Sequence, residues 1–209
     1  MRLRTGLYVL VTAVLAFESA VFALIFFPRV SDAYRAYFVE RSTDCYPLPI
    51  SGRYHMGGTI NFVAGGPSAQ ATAVKVCGWT DPADTGTWSV GREARLRFRL
   101  GFVPADVLVG INMLPFVAGT LQEQRVVVVA NGIEIESIRL GGSSTGLKVF
   151  RVPRRLILDH WGYLDFGFRF PDAASPVALG INNDRRLLAI RLLSMRLWLA
   201  RAGAAEAQD

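Results

Sequence analysis

Residues 76–98 read VCGWTDPADTGTWSVGREARLRF. The stretch ends in a strict alternation, with Ala94, Leu96 and Phe98 apolar and Glu93, Arg95 and Arg97 charged. A period of two sends alternate side chains to opposite faces of a strand, one buried and one wet. Before the strand come Cys77, an Asp81-Pro82 turn signal and two tryptophans, Trp79 and Trp88. Indoles in such a segment serve either to pack a corner of the fold or to stack on a ligand.

The same period recurs on both sides. TINFV (59–63) reads as a short strand, GGPSAQ as a turn and ATAVKV (71–76) as a second strand ending at Cys77. DVLVGINML (106–114) follows the arginine-faced strand. QRVVVVA (124–130) meets IEIESIRL (133–140) across Asn131-Gly132, a strong short hairpin signal. LKVFRV (147–152), RRLILD (154–159) and YLDFGFRF (163–170) continue the series. In RRLLAIRLLSMRLWLA (185–200), Leu188, Leu192, Met195 and Leu199 fit a helix, whereas Ile190–Leu197 fits a strand broken near Leu193-Ser194. Short strands separated by frequent turns predict a mainly β fold, an antiparallel β-sandwich of jelly-roll type.

The N-terminus has another character. GLYVLVTAVLAFESAVFALIFF, residues 6–27, holds one Asp, Glu, Lys or Arg, Glu18. As a helix it measures roughly 33 Å, enough for a bilayer core. The run is longer than a signal-peptide core and no A-x-A site follows, so it reads as an uncleaved anchor. Pro28 marks its end. Beyond it Tyr34, Tyr37 and Phe38 fall at helical spacing among arginines, a composition suited to the membrane interface. The expected organisation is a cytoplasmic N-terminus (1–5), a transmembrane helix (6–28), a juxtamembrane helix and linker (29–57), a periplasmic sandwich (58–200) and a flexible tail (201–209).

Basic residues flank the anchor on both sides, so charge leaves its orientation open. The two cysteines, Cys45 and Cys77, both follow it. A pair of thiols in an exported domain most simply forms one disulfide, which favours the N-terminus inside and the main domain in the periplasm. The net charge of +6 comes almost wholly from arginine, since only Lys75 and Lys148 are lysines. Spread along strands of an exported domain, those charges suit anionic lipids, acidic glycans or an acidic protein face, and no nucleic acid.

Reactive constellations are absent from the pattern. His55 and His160 lack metal-ligand spacing, and the one G-x-S-x-G spelling, at 142–146, is not set between a strand and a helix as a nucleophile elbow requires. GGSSTG (141–146) joins strands and opens no helix, so it is not a phosphate cradle. The expectation is a protein without catalytic residues, metal or cofactor. Glu18 stands out, because an acid inside a spanning helix either hydrogen-bonds to another helix, marking a helix–helix contact, or is carried protonated in a single anchor. Ala13, Ala16, Ser19 and Ala20 around it permit close packing.

GWTDPADTGTWSVGREARLRF resembles the G-W-[ST]-x-P-E…W-[ST]-x-G motif of β-sandwich domains found beside bacterial polysaccharide-related glycosyltransferases. QRVVVVANG (124–132) and SPVALGINNDRRLLAI (175–190) match further blocks of that pattern in the same order, over about residues 58–200. The sequence departs at Ala83, where glutamate is usual, and at Leu188-Ala189, where Leu-Gly is usual. The resemblance implies a sandwich similar to carbohydrate-binding modules, with the last segment a strand. Two functions stand open. One is a structural or interaction subunit of a bacterial inner-membrane complex, partnered by other transmembrane subunits and the lipid bilayer. The alternative is an anchored glycan-binding module using Trp79, Trp88 and Asp184.

Overall fold

The computed structural model describes residues 2–26, 30–46, 52–65, 68–142 and 146–201. Pro28, the proline-rich linker at 47–51 and the tail from 202 onward lie outside the described residues. The chain divides into two units, Met1–Arg41 and Ser42–Asp209.

The first unit is helical. Helix α1 (Arg2–Phe26) contains an apolar window, Tyr8–Ile25, none of which is buried within the chain. That window is long and apolar enough to cross a membrane. Helix α2 (Asp32–Tyr34) begins at Ser31, whose Oγ accepts the Tyr34 amide at 3.2 Å. A π-helical turn, Arg35–Val39, continues it. The helical piece expected beyond Pro28 is therefore present.

The second unit is a sandwich of two five-stranded antiparallel sheets. Sheet 1 holds β1 (Thr59–Asn61), β10 (Ile190–Leu199), β5 (Val107–Pro115) and β8 (Leu147–Val152) in that order, with β3 (Thr87–Trp88) also on β10. Sheet 2 runs β2 (Lys75–Cys77), β4 (Glu93–Arg99), β9 (Tyr163–Arg169), β6 (Glu123–Ala130) and β7 (Ile133–Gly141). The inner faces meet in one core, including Leu96, Phe98, Phe166 and Phe168 from sheet 2 with Val109, Ile111, Phe150 and Met195 from sheet 1. On β4 every second residue is buried, as its alternation dictates.

Asn131 and Gly132 both take positive φ, 48° and 83°, the geometry of a type I′ hairpin turn. The Asn131 side chain also donates to Leu156 O at 2.6 Å and Tyr163 O at 3.0 Å, and accepts from Asp165 N. One turn residue thus ties a hairpin, a helix and a strand together. The ambiguous last segment is strand β10, and its register slips between Leu192 and Ser194, where the sequence showed the break.

Two expected strands are helices. Ser68–Val74 forms α3, leaving only Lys75–Cys77 as strand. Ala71 and Val74, three residues apart, share its buried side, a helical spacing within a run too short for periodicity to decide. Arg154–Leu158 forms α4, entered from Pro153. Leu156 and Ile157 are buried side by side, which an alternating strand does not allow.

Cys45 and Cys77 form a disulfide with Cα atoms 5.4 Å apart, joining the start of the unit to the end of β2. Beside it Thr43 donates to Glu93 Oε2 at 2.6 Å, and Asp44 Oδ2 accepts the Arg92 amide at 3.3 Å. The bond spans a sequence separation of 32. A Cys45→Ala/Cys77→Ala double variant is expected to lose about 3–4 kcal/mol of stability in denaturant unfolding. A loss below about 1 kcal/mol would show that the surrounding hydrogen bonds alone hold this segment.

Candidate functional site

Trp79 and Trp88 are both partly buried, each in a different layer. Trp79 packs its edge on Phe168 at 5.8 Å between ring centroids, and its Nε1 donates to Arg95 O at 3.0 Å. Its only donor is therefore used within the fold. Trp88 lies in β3 on sheet 1, edge-on to Phe116, with the Arg191 guanidinium 5.3 Å from its ring centroid. The two indoles are not a shared platform.

Asp184 is a loop organiser. Its carboxylate accepts from Arg186 Nη2 at 2.6 Å, from Arg186 Nε and from the Arg186 amide. Its carbonyl takes the Val177 amide, closing loop 177–184. These hydrogen bonds from Arg186 hold its carboxyl at about 2.

A groove of about 270 Å³ opens on the outer face of sheet 2, a place the sequence did not single out. Its lining includes Glu93, Arg95, Asn131, His160, Asp165 and Arg169. Gly167 contributes to its depth, since a Cβ there would stand 3.7 Å from both Arg95 and Val129. Arg95 pairs with Glu93 at 2.5 Å, and Arg97 with Asp165 at 2.7 Å. His160 Nδ1 lies 2.9 Å from Leu156 O. A carbonyl only accepts, so Nδ1 is the donor in this contact. The groove thus mixes donors and acceptors. Among the described residues no group of three His, Cys, Asp or Glu is arranged to hold a metal ion.

Next to His160 stands Trp161, 92% exposed at φ 58°. Positive φ is unfavourable for so bulky a residue. The turn is held because Gly162 O accepts the amides of Leu100 and Gly101, with Gly162 packed against Gly101. Phe102, 74% exposed, follows that contact. Nothing in its local sequence separates Trp161 from the packed tryptophans. The only hint is the short step from His160 to Gly162, and the fold makes it an exposed turn.

On α1, Glu18 is exposed and has no side-chain partner among the described residues, whereas the Thr12 and Ser19 hydroxyls donate to carbonyls four residues back. The helix is continuous through this region. At ~100° per residue, Glu18 points roughly 170° away from the stripe of Ala13, Ala16 and Ala20. The acid and the three alanines therefore lie on opposite sides of the helix. Tyr34 and Phe38 rings lie 4.7 Å apart, and Tyr37 and Phe38 rings 4.8 Å apart, forming one aromatic cluster.

Neither a family model nor a curated protein sequence matches the chain. Among solved structures it is similar to a carbohydrate-binding module, CBM36, in complex with calcium and xylotriose. That likeness has TM-score 0.35 and 10% identity, and covers 68% of this chain and 92% of that one. A CBM36-1 domain of a multidomain xylanase from the hindgut metagenome of Trinervitermes trinervoides gives TM-score 0.34 and 14% identity, with coverage of 57% and 80%. A family 35 carbohydrate binding module from an environmental isolate gives 0.33 and 14%, with 71% and 90%. At these scores the likeness carries no argument about a ligand.

Asp184 supplies a test of the loop. Its folded value of about 2 lies below the ordinary carboxylate value of about 3.9. Its contribution to stability is therefore present above pH ~4 and is lost as pH falls toward 2. Thermal unfolding followed from pH 6 to pH 2 is expected to show a shallower acid loss in Asp184→Asn than in wild type. Parallel curves would mean that the pair does not hold the loop in solution.

Proposed function

We propose that the chain is a non-catalytic, single-pass membrane protein acting as a structural or interaction subunit of a bacterial inner-membrane complex. Its N-terminus is cytoplasmic and its sandwich periplasmic. The observation that carries this reading is Glu18, exposed in the middle of an apolar 18-residue window with no partner in its own helix. In hydrocarbon an unpartnered acid costs ~2.5–3.5 kcal/mol, which a hydrogen-bonding helix of a neighbouring subunit offsets. The disulfide supports an oxidising compartment for the sandwich. The Tyr34–Phe38 aromatic cluster suits the headgroup layer.

The direct test is purification of the full chain from native membranes in mild detergent, followed by mass spectrometry of intact assemblies. Wild type is expected to carry other transmembrane subunits. Glu18→Leu is expected to retain them at least about tenfold less well. Equal recovery of the same partners with Glu18→Leu would remove the acid from the interface.

A second reading has its own observation, the donor-and-acceptor groove on sheet 2 with Trp161 exposed beside its lining residue His160. Sugar recognition needs both an aromatic surface and convergent polar groups. On this reading the sandwich holds an exported glycan near the membrane. Titration of the full chain in nanodiscs with neutral and uronate-containing oligosaccharides is expected to show binding that Trp161→Ala weakens about tenfold. Undiminished affinity in Trp161→Ala would exclude this indole as the platform.

A further inference from the structure

Both outer faces carry arginines with and without a carboxylate partner: among the described residues Arg99 and Arg169 on sheet 2 meet none, and Arg151 on sheet 1 meets Asp106 at 2.8 Å. On sheet 2, Arg95, Arg97, Arg125 and Arg139 each meet a carboxylate, from Glu93, Asp165, Asp172 and Glu123 respectively. On sheet 1, the outward residues of β10 include Arg191 and Arg196, and neither meets a carboxylate among the described residues. The Arg191 Nε is enclosed and has no hydrogen-bond partner among them.

Ser194 and Asn112 stand between these cations, and from Arg196 toward Trp198 the face turns apolar. Trp198 and Leu147 both lie over Gly110, where an added Cβ would come within 2.7 Å of the indole and 3.2 Å of Leu147 Cδ1. Val149 stands opposite Gly110 and Leu108 opposite Trp198 in the strand register. Leu147 is 60% exposed and Val149 46% exposed. Outward positions of a solvated sheet ordinarily carry polar side chains. Tryptophan and arginine around exposed aliphatic groups are what the centre of a protein interface uses.

We propose that this outer face of sheet 1 docks a protein partner whose contacting surface is apolar and carries carboxylates for Arg191 and Arg196. The proposal rests on the reading of the chain as an interaction subunit and names the surface on its folded unit. Charge complementarity selects the occupant. A second copy is disfavoured, because a self-contact would place the unneutralised arginines of both copies in one interface. A glycan is disfavoured, because Leu108, Leu147 and Val149 offer its hydroxyl groups no hydrogen bonds and would desolvate them.

The experiment uses the full chain in native membranes with the photo-crosslinking residue p-benzoylphenylalanine at Val149, and at Ser137 on β7 of sheet 2 as control. Crosslinking precedes solubilisation, so detergent cannot strip the partner. The expected result is a protein adduct from position 149 and not from 137. Its crosslinked segment should be apolar with adjacent Asp or Glu, and the yield should fall about tenfold in Arg191→Glu/Arg196→Glu. Arg191→Ala/Arg196→Ala, compared with wild type for thermal unfolding, guards against misfolding and should also reduce the yield. An adduct with lipid, glycan or a second copy overturns the proposal, as does no adduct at 149 or a yield indifferent to both arginine variants. Glu18→Leu separates the two readings. If it loses its transmembrane partners while position 149 gives no protein adduct, the anchor reading stands and the face proposal falls.

Discussion

The sandwich depends on one excursion of the chain between its layers, residues 77–98, which leaves sheet 2 for sheet 1 and returns. Cys77 ends β2 on sheet 2 and is bonded to Cys45, and Trp79 spends its indole N–H on the backbone of β4. The chain then passes to sheet 1, where β3 pairs with β10. Ser89 fixes that passage, since its Oγ accepts the amides of Ala189 and Ile190 at 3.2 and 3.0 Å. Thr87 donates to Phe62 O at 2.8 Å, adding a neighbouring tie to sheet 1. Both hydroxyls are fully buried, and a buried polar group left unmatched costs more than its bond contributes. Gly78 is required at the same place, with φ 74° and Glu93 O only 2.2 Å from where a Cβ would stand.

With the layers fixed, each strand shows one face to the core and one outward, and the two outer faces diverge in chemistry. On sheet 2, Glu93 pairs with Arg95 along β4 and Asp165 of β9 reaches across to Arg97, around a groove that Gly167 helps to deepen. Such half-exposed pairs add little stability each. Sheet 1 leaves two guanidinium groups without carboxylates beside tryptophan, leucine and valine.

Much of this was legible along the chain. The alternation of β4 and β9, the Asn131-Gly132 hairpin, the irregularity at Leu193-Ser194 and the apolar span all follow from local periodicity or turn chemistry. The failures were equally local. Residues 71–74 and 154–158 are too short for a period to separate strand from helix, and packing decided them. The groove escaped notice because its lining residues come from separated parts of the sequence, from Glu93 to Arg169.

The sequence by itself determined which faces of the strands are apolar, where the chain turns and that Glu18 sits within an apolar helix. Those properties depend on neighbours a few residues apart, so their periods are written in order along the chain. Only the tertiary structure decided which tryptophan is free. Trp79, Trp88 and Trp161 are chemically alike, but Trp79 closes on Phe168, Trp88 lies under Arg191 and Trp161 is turned outward at positive φ. Only the structure likewise decided which arginines are neutralised, because the carboxylates of Asp165 and Asp172 reach Arg97 and Arg125 from far along the chain. Burial and ion pairing are set by distances in the folded sandwich, which strand pairing and the loops between strands establish.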